Sequence, residues 1–158
     1  MIYNALIASH INYGLPIWQG ISKKVEKHLQ VLMNKGIRAC FCLGYRDSTA
    51  NVSKKNGIFT FKQQCKYMSA LLVKSTRGHR SPKHLKTLFQ DKPLTRSLRS
   101  SQDDQLLVPC FKTSHLQQQS SFSLPHLWNK IPQKMKALRY ISFKENFKKM
   151  IINEETLN

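Results

Sequence analysis

SKKVEKHLQVLMNKGIRACF, residues 22–41, is the stretch on which the fold class turns. Ser22 stands where a helix N-cap belongs, and Gly44, just beyond Phe41, stands where the helix should stop. Advancing 100 degrees per residue from Lys24, the positions Lys27, His28, Lys35 and Arg38 fall within about 60 degrees of it. Val25, Leu29, Leu32, Met33 and Cys40 centre about 140 degrees away. The spacing predicts one long amphipathic helix with an apolar core face and a cationic face opposite it. Apart from Glu26 the stretch has no acidic residue, so no i,i+4 ladder of ion pairs accounts for the lysines; the two readings are an ordinary solvated helix face and contact with phosphate, and the missing acid favours phosphate.

Upstream, Ile2, Leu6, Ile7 and Ile11 read as a helix ended by the Gly14-Leu15-Pro16 breaker. No cap precedes it, as expected of a segment that belongs to a larger architecture. Downstream, Asp47-Ser48-Thr49 caps a short helix closed by Asn56-Gly57. Thr60 and Gln63 form a capping pair ahead of a buried face of Phe61, Cys65, Met68 and Leu72. Ser81-Pro82 opens another short helix carrying Leu85, Leu88 and Phe89. Leu106-Leu107-Val108 before Pro109 predicts a short strand or extended arm, and residues 117–121 a polar connector. Residues 124–128 and 133–138 read as two short helices separated by Pro132. A last helix should begin at Ser142, with Glu145 in the box position and Phe143, Phe147, Met150 and Ile151 along one side. The expected fold is mainly α: a helical bundle over 1–90, an extended basic and polar linker over 91–121, and a short C-terminal helical segment over 122–158.

Composition points to the partner. In 158 residues there are 26 Lys and Arg against 8 Asp and Glu, a net charge of +18, and 41% hydrophobic residues, enough for a folded core. The middle third, residues 51–100, holds 12 basic residues and one acidic, and the basic residues are dispersed among apolar ones instead of forming a tail. Such a surface repels itself unless it lies against a polyanion, so nucleic acid is the first partner and an anionic membrane the second. The chain has neither the basic n-region of a secretory signal nor about 18 consecutive apolar residues for a membrane span. With no export signal, the four cysteines read as reduced, partly buried thiols of a nuclear or cytoplasmic protein.

Catalytic constellations are weak. Cys40 and Cys42 sit in C-x-C spacing inside a predicted helix, where their side chains diverge, and Cys65 and Cys110 belong to no ligand pair, so no metal is expected. Two-metal chemistry on nucleic acid needs paired carboxylates. The adjacent pair Asp103-Asp104 lies between Gln102 and Gln105 and reads as a solvated loop. The six glycines are isolated, which excludes a glycine-rich phosphate loop. No cofactor is expected. Tyr13, Trp18, Tyr45, Trp128 and Tyr140 have the rings to stack on bases, but the better reading is packing in the core or at its rim.

Several short runs, in order, resemble the region that follows the reverse-transcriptase palm in non-LTR, LINE-type retrotransposons of the jockey-like kind. The first are Leu6 to Gly14 (LIASHINYG), Ile17-Trp18, Leu29-Gln30 and Lys35-Gly36-Ile37-Arg38. The later ones are Leu107-Val108-Pro109, Ser121-Phe122, Leu127 to Pro132 (LWNKIP) and Phe143-Lys144. The resemblance implies the thumb and post-palm region of an RNA-directed DNA polymerase, separated from the palm that carries the catalytic aspartates. It therefore implies no enzymatic activity, a grip on the backbone of template and primer, and a missing palm domain as a possible partner. On this reading Lys24, Lys27, Lys35 and Arg38 bind phosphates, and Lys62, Lys66, Arg77, Arg80, Lys83 and Lys86 supply further charge. The alternative is a structural module whose apolar faces dock on that missing domain.

Overall fold

The computed structural model of the chain describes residues 2–16, 20–78, 81–93 and 104–154, and these are mainly helical. The first helix, α1, opens with a π-helical segment, Asn4–Ala8, and continues as α-helix over Ser9–Asn12. After it come α2 (Lys23–Cys40), α3 (Thr49–Asn56), α4 (Phe61–Arg77), α5 (Lys83–Lys86), α6 (Ser114–Gln117), α7 (Ser120–Lys130), α8 (Gln133–Lys136) and α9 (Tyr140–Glu154). Local signals set many of these boundaries. Gly14 has φ +72° and Gly57 φ +61°, left-handed turns that favour glycine at the ends of α1 and α3. The Thr60 hydroxyl accepts the Gln63 amide while the Gln63 side chain accepts the Thr60 amide, a complete capping box that starts α4.

Helix α4 is the centre of the molecule, and it is buried on two opposite sides instead of the single face expected. Phe61 and Cys65 pack with Leu15 and Met33 in a core shared with α2, and Ile11 and Leu29 close around it. About half a turn round the helix, Tyr67, Ala70, Leu71 and Val73 pack with Leu124 and Trp128 of α7 and with Phe143, Phe147 and Ile151 of α9. This second core joins residues 59–73 to 106–151, so packing does not separate 1–90 from 122–158. Ser69 and Thr76, buried within α4, satisfy their hydroxyls on the Cys65 and Leu72 carbonyls.

The segment at Leu106 is an extended arm, as one of the two expected forms has it: it makes one antiparallel bridge, to Asp91, and the Asn129 side chain takes up the amide and carbonyl of its other edge. Asn129 accepts the Leu106 amide and donates to the Leu106 carbonyl, both at 2.9 Å. Other parts depart from expectation. Residues 117–121 are not a plain connector: α6 ends at Gln117 and α7 begins at Ser120. Pro125 is the sixth residue of α7 and is buried there, and having no N–H it leaves the Ser121 carbonyl without the usual intrahelical donor. Helix α9 begins two residues before Ser142, and the Phe143 amide bonds the Arg139 carbonyl, so the box expected at Glu145 does not set its start. Within α2, the place of a Cβ at Gly36 is taken by the Ile7 side chain, which lets α1 lie close to it.

Trp128 holds several of these parts at once. It is 1% exposed, its ring meets Phe143 at 6.0 Å between centroids, and its Nε1 donates to the Asp104 carbonyl at 3.1 Å. Trp128→Ala is expected to cost about 3 to 5 kcal/mol, read as a lowered midpoint in chemical denaturation.

Candidate nucleic-acid interface

On α2 the buried residues are Met33 and Ile37, which lie about 180 and 220 degrees round the helix from Lys24. The core face is therefore rotated from the expected centre, and Val25 and Leu32, expected inside, are each 46% exposed. The rotation sets the core more squarely opposite the lysines. Lys24, Lys27, Lys35 and His28 are exposed, and Val31 lies exposed among them. Glu26, the one acidic residue of the helix, is half-buried on the core side.

Arg38 differs from the lysines. It is half-buried, and its Nη2 donates to the Asp47 carbonyl at 3.4 Å. The Asp47 carboxylate in turn accepts the Gly44 amide at 2.8 Å, closing a turn whose tip carries Tyr45. Arg38 thus braces the α2–α3 turn. Tyr45 is 93% exposed and Tyr13 85%, so neither ring packs as expected, whereas Trp128 does. Trp18 lies outside the described residues.

The second group of expected phosphate ligands is dispersed. Lys62 is exposed at the start of α4, and Lys66, one turn on, is half-buried. Lys86 is half-buried at the end of α5, and Lys83 opens that short helix. Arg80 lies outside the described residues. Arg77 is placed otherwise than the phosphate reading expects: its guanidinium pairs with Asp104 and, at 2.6 Å, with Asp91. Two carboxylates already neutralise it.

Asp104, expected in a solvated loop, is drawn inward by that pairing. Beside it Lys136 is only 2% exposed. Its ammonium lies over the Trp128 ring at 5.5 Å and donates to the Asp104 carbonyl at 3.5 Å. Lys74 donates to the Lys136 carbonyl at 2.5 Å and lies over the Phe143 ring at 5.6 Å. Burial pushes both ammonium groups below the usual lysine range, and the Asp104 charge pulls them part of the way back. Burial, and then the Glu26 charge, push the Cys65 thiol up to about 12, which leaves it protonated and unreactive near neutral pH. Among the described residues, no three His, Cys, Asp or Glu side chains are grouped to hold a metal ion, and no helix is long and apolar enough to cross a membrane.

Comparison with family models, curated proteins and solved structures finds no match to the chain. The geometry itself sorts the basic residues into three classes. Lys24, Lys27, Lys35 and Lys62 offer open charge. Arg38 and Arg77 brace the fold. Lys136, buried, and Lys74, half-buried, lie over aromatic rings.

Two measurements check this sorting. Arg77→Ala leaves two carboxylates without their partner and should lower stability by about 1 to 2 kcal/mol, while leaving the salt dependence of nucleic-acid binding unchanged. For Lys136, the folded form binds its proton less tightly than the unfolded chain, whose lysine titrates near 10.5. In that window the unfolded state holds more protons, so this contribution to stability rises with pH up to about 10.5 and is lost as pH falls. The stability of wild type relative to Lys136→Met should therefore increase as pH rises toward 10.5, measured by urea denaturation.

Proposed function

We propose that the chain is a non-catalytic, nucleic-acid-binding segment of a non-LTR retrotransposon reverse transcriptase, the thumb and post-palm region that grips the backbone of template and primer. The carrying observation is the face of α2, on which Lys24, Lys27 and Lys35 stand exposed directly opposite the buried Met33 and Ile37. Charges spaced along one exposed helix face reach successive phosphates and present no array of donors to base edges, so affinity follows salt and not sequence. The non-catalytic part of the reading draws support from Asp91 and Asp104. They are the two carboxylates brought together on one partner, and that partner is the Arg77 guanidinium, a cation in the place a metal would need. RNA, DNA and hybrid duplexes all present the phosphates this face requires.

A second reading, a module that docks on a missing polymerase domain, is favoured by exposed apolar side chains. Ile2 and Leu6 of the N-terminal region and Val25 and Leu32 of α2 are each at least 46% exposed.

The test is a salt titration on two unrelated duplexes. Replacing Lys24, Lys27 and Lys35 together with alanine should reduce the slope of log K against log salt by about 0.7 to 0.9 for each charge removed, with unchanged circular dichroism. Equal slopes for wild type and variant would remove this face from the binding surface, and strong preference for one duplex would contradict backbone-only contact.

A further inference from the structure

An open pocket of about 620 Å³ lies between α1, the C-terminal half of α2, the turn after α3, α4 and α9. Its apolar walls include Ile11, Met33 and Phe41, and the rings of Phe59 and Tyr67 meet in one corner, 5.2 Å apart at a tilt of 57°. The pocket is on the core side of α2, since Met33 stands about 180 degrees round that helix from Lys24. Among the lining residues Lys148 is the one charged side chain, and none is a carboxylate. Lys148 is exposed and its ammonium lies over the Phe59 ring at 5.8 Å, so it stands at the rim above an aromatic wall.

Two amide side chains supply the polar part of the lining. Gln64 of α4 donates to the Asn12 oxygen of α1 at 2.7 Å, and both residues are half-buried. The bond holds the two side chains together and leaves an acceptor, the Gln64 carbonyl, beside a donor, the Asn12 NH2. Tyr3, 4% exposed, also lines the pocket, and its hydroxyl has no hydrogen-bond partner among the described residues. An enclosed hydroxyl without a partner is costly, so this wall favours a ligand that brings polar atoms with it.

Those features select among ligands. The volume is within the range of small-molecule sites, roughly 300 to 1,000 Å³. A phosphate ester needs several donors, but the Gly57 and Ile58 amides at the end of α3 already donate to the Lys54 and Ser53 carbonyls, and one ammonium is left. A single cation beside flat apolar walls matches a carboxylate carried on an aromatic ring. A fatty acid has the carboxylate but nothing for the amide pair, which calls for a hydroxyl or amide on the body of the ligand.

We infer that the pocket binds a small aromatic carboxylate whose acid group pairs with Lys148, whose ring packs on Phe59 and Tyr67, and whose hydroxyl or amide substituent meets Asn12 and Gln64. This site is separate from the exposed lysines of α2 and stands whether or not that face binds phosphate.

The probe is para-hydroxycinnamate, titrated into the full chain by calorimetry beside its neutral carboxamide and beside cinnamate, which lacks the hydroxyl. Wild type should bind it about fivefold more tightly than the carboxamide. The margin over cinnamate should also be about fivefold. Lys148→Gln, at an exposed position, should erase the first preference and keep the second. Ala8→Phe, which puts a ring into the cavity, should abolish binding. Circular dichroism confirms that both variants fold. No binding by wild type, equal affinity for the probe and either analogue, a preference for the acid that survives Lys148→Gln, or binding that survives Ala8→Phe overturns the inference. So does displacement of bound para-hydroxycinnamate by a short single-stranded oligonucleotide, which would make the pocket a nucleic-acid site.

Discussion

Burial of α4 on two opposite faces is the constraint from which the rest of the architecture follows. A helix packed on one side can keep its charged residues on the other, but α4 has apolar neighbours toward α2 on one side and toward α7 and α9 on the other. Its charged residues are left with the narrow flanks and the ends. Lys62 emerges at the first turn and is exposed, whereas Lys74 and Arg77, near the last turn, are enclosed by the segment around Asp104 and by α8. Isolated charge there would be costly, and the fold answers with two aromatic rings, backbone carbonyls and the carboxylates of Asp91 and Asp104.

That solution shapes the electrostatics of the whole molecule. The chain has eight acidic residues, and two of them converge on a single internal arginine. Asp47 is occupied in closing the turn after α2, and Glu26 faces the core side of its helix. These four carboxylates are engaged away from the exposed lysines of α2. The open cationic face and the paired interior cluster are thus two results of one shortage.

Much of the helical layout was legible in the sequence, because it rests on interactions within a few residues. The Thr60–Gln63 box, the Gly57 stop, the Ser48 cap and the span of α2 are local, and the structure has them where the pattern places them. What periodicity could not show was how many sides of a helix are covered. The pattern Phe61, Cys65, Met68, Leu72 marks one face of α4, but Tyr67, Ala70 and Val73 form a second, and small or amphipathic residues give a weaker signal than leucine. The candidate site divides in the same way. The lysine face of α2 was legible because it lies on one element. The roles of Arg38 and Arg77 were not, because each depends on a carbonyl or carboxylate 9 to 27 residues away. Nor were Asn12, Gln64 and Lys148, which line a common pocket only when α1, α4 and α9 pack together.

The same charge that draws a polyanion also opposes the fold, and the two effects answer salt with opposite signs. Eighteen surplus positive charges repel one another, so added salt, by screening them, favours the compact state. Added salt also returns counterions to the phosphates and weakens any backbone-bound complex. On the proposed reading, a polyanion lying along Lys24, Lys27 and Lys35 would screen those charges and, by binding the folded chain, stabilise it. On that reading folding and binding are coupled through the exposed lysines of α2. Arg77 stays out of that coupling, because Asp91 and Asp104 neutralise it within the molecule whatever lies on α2.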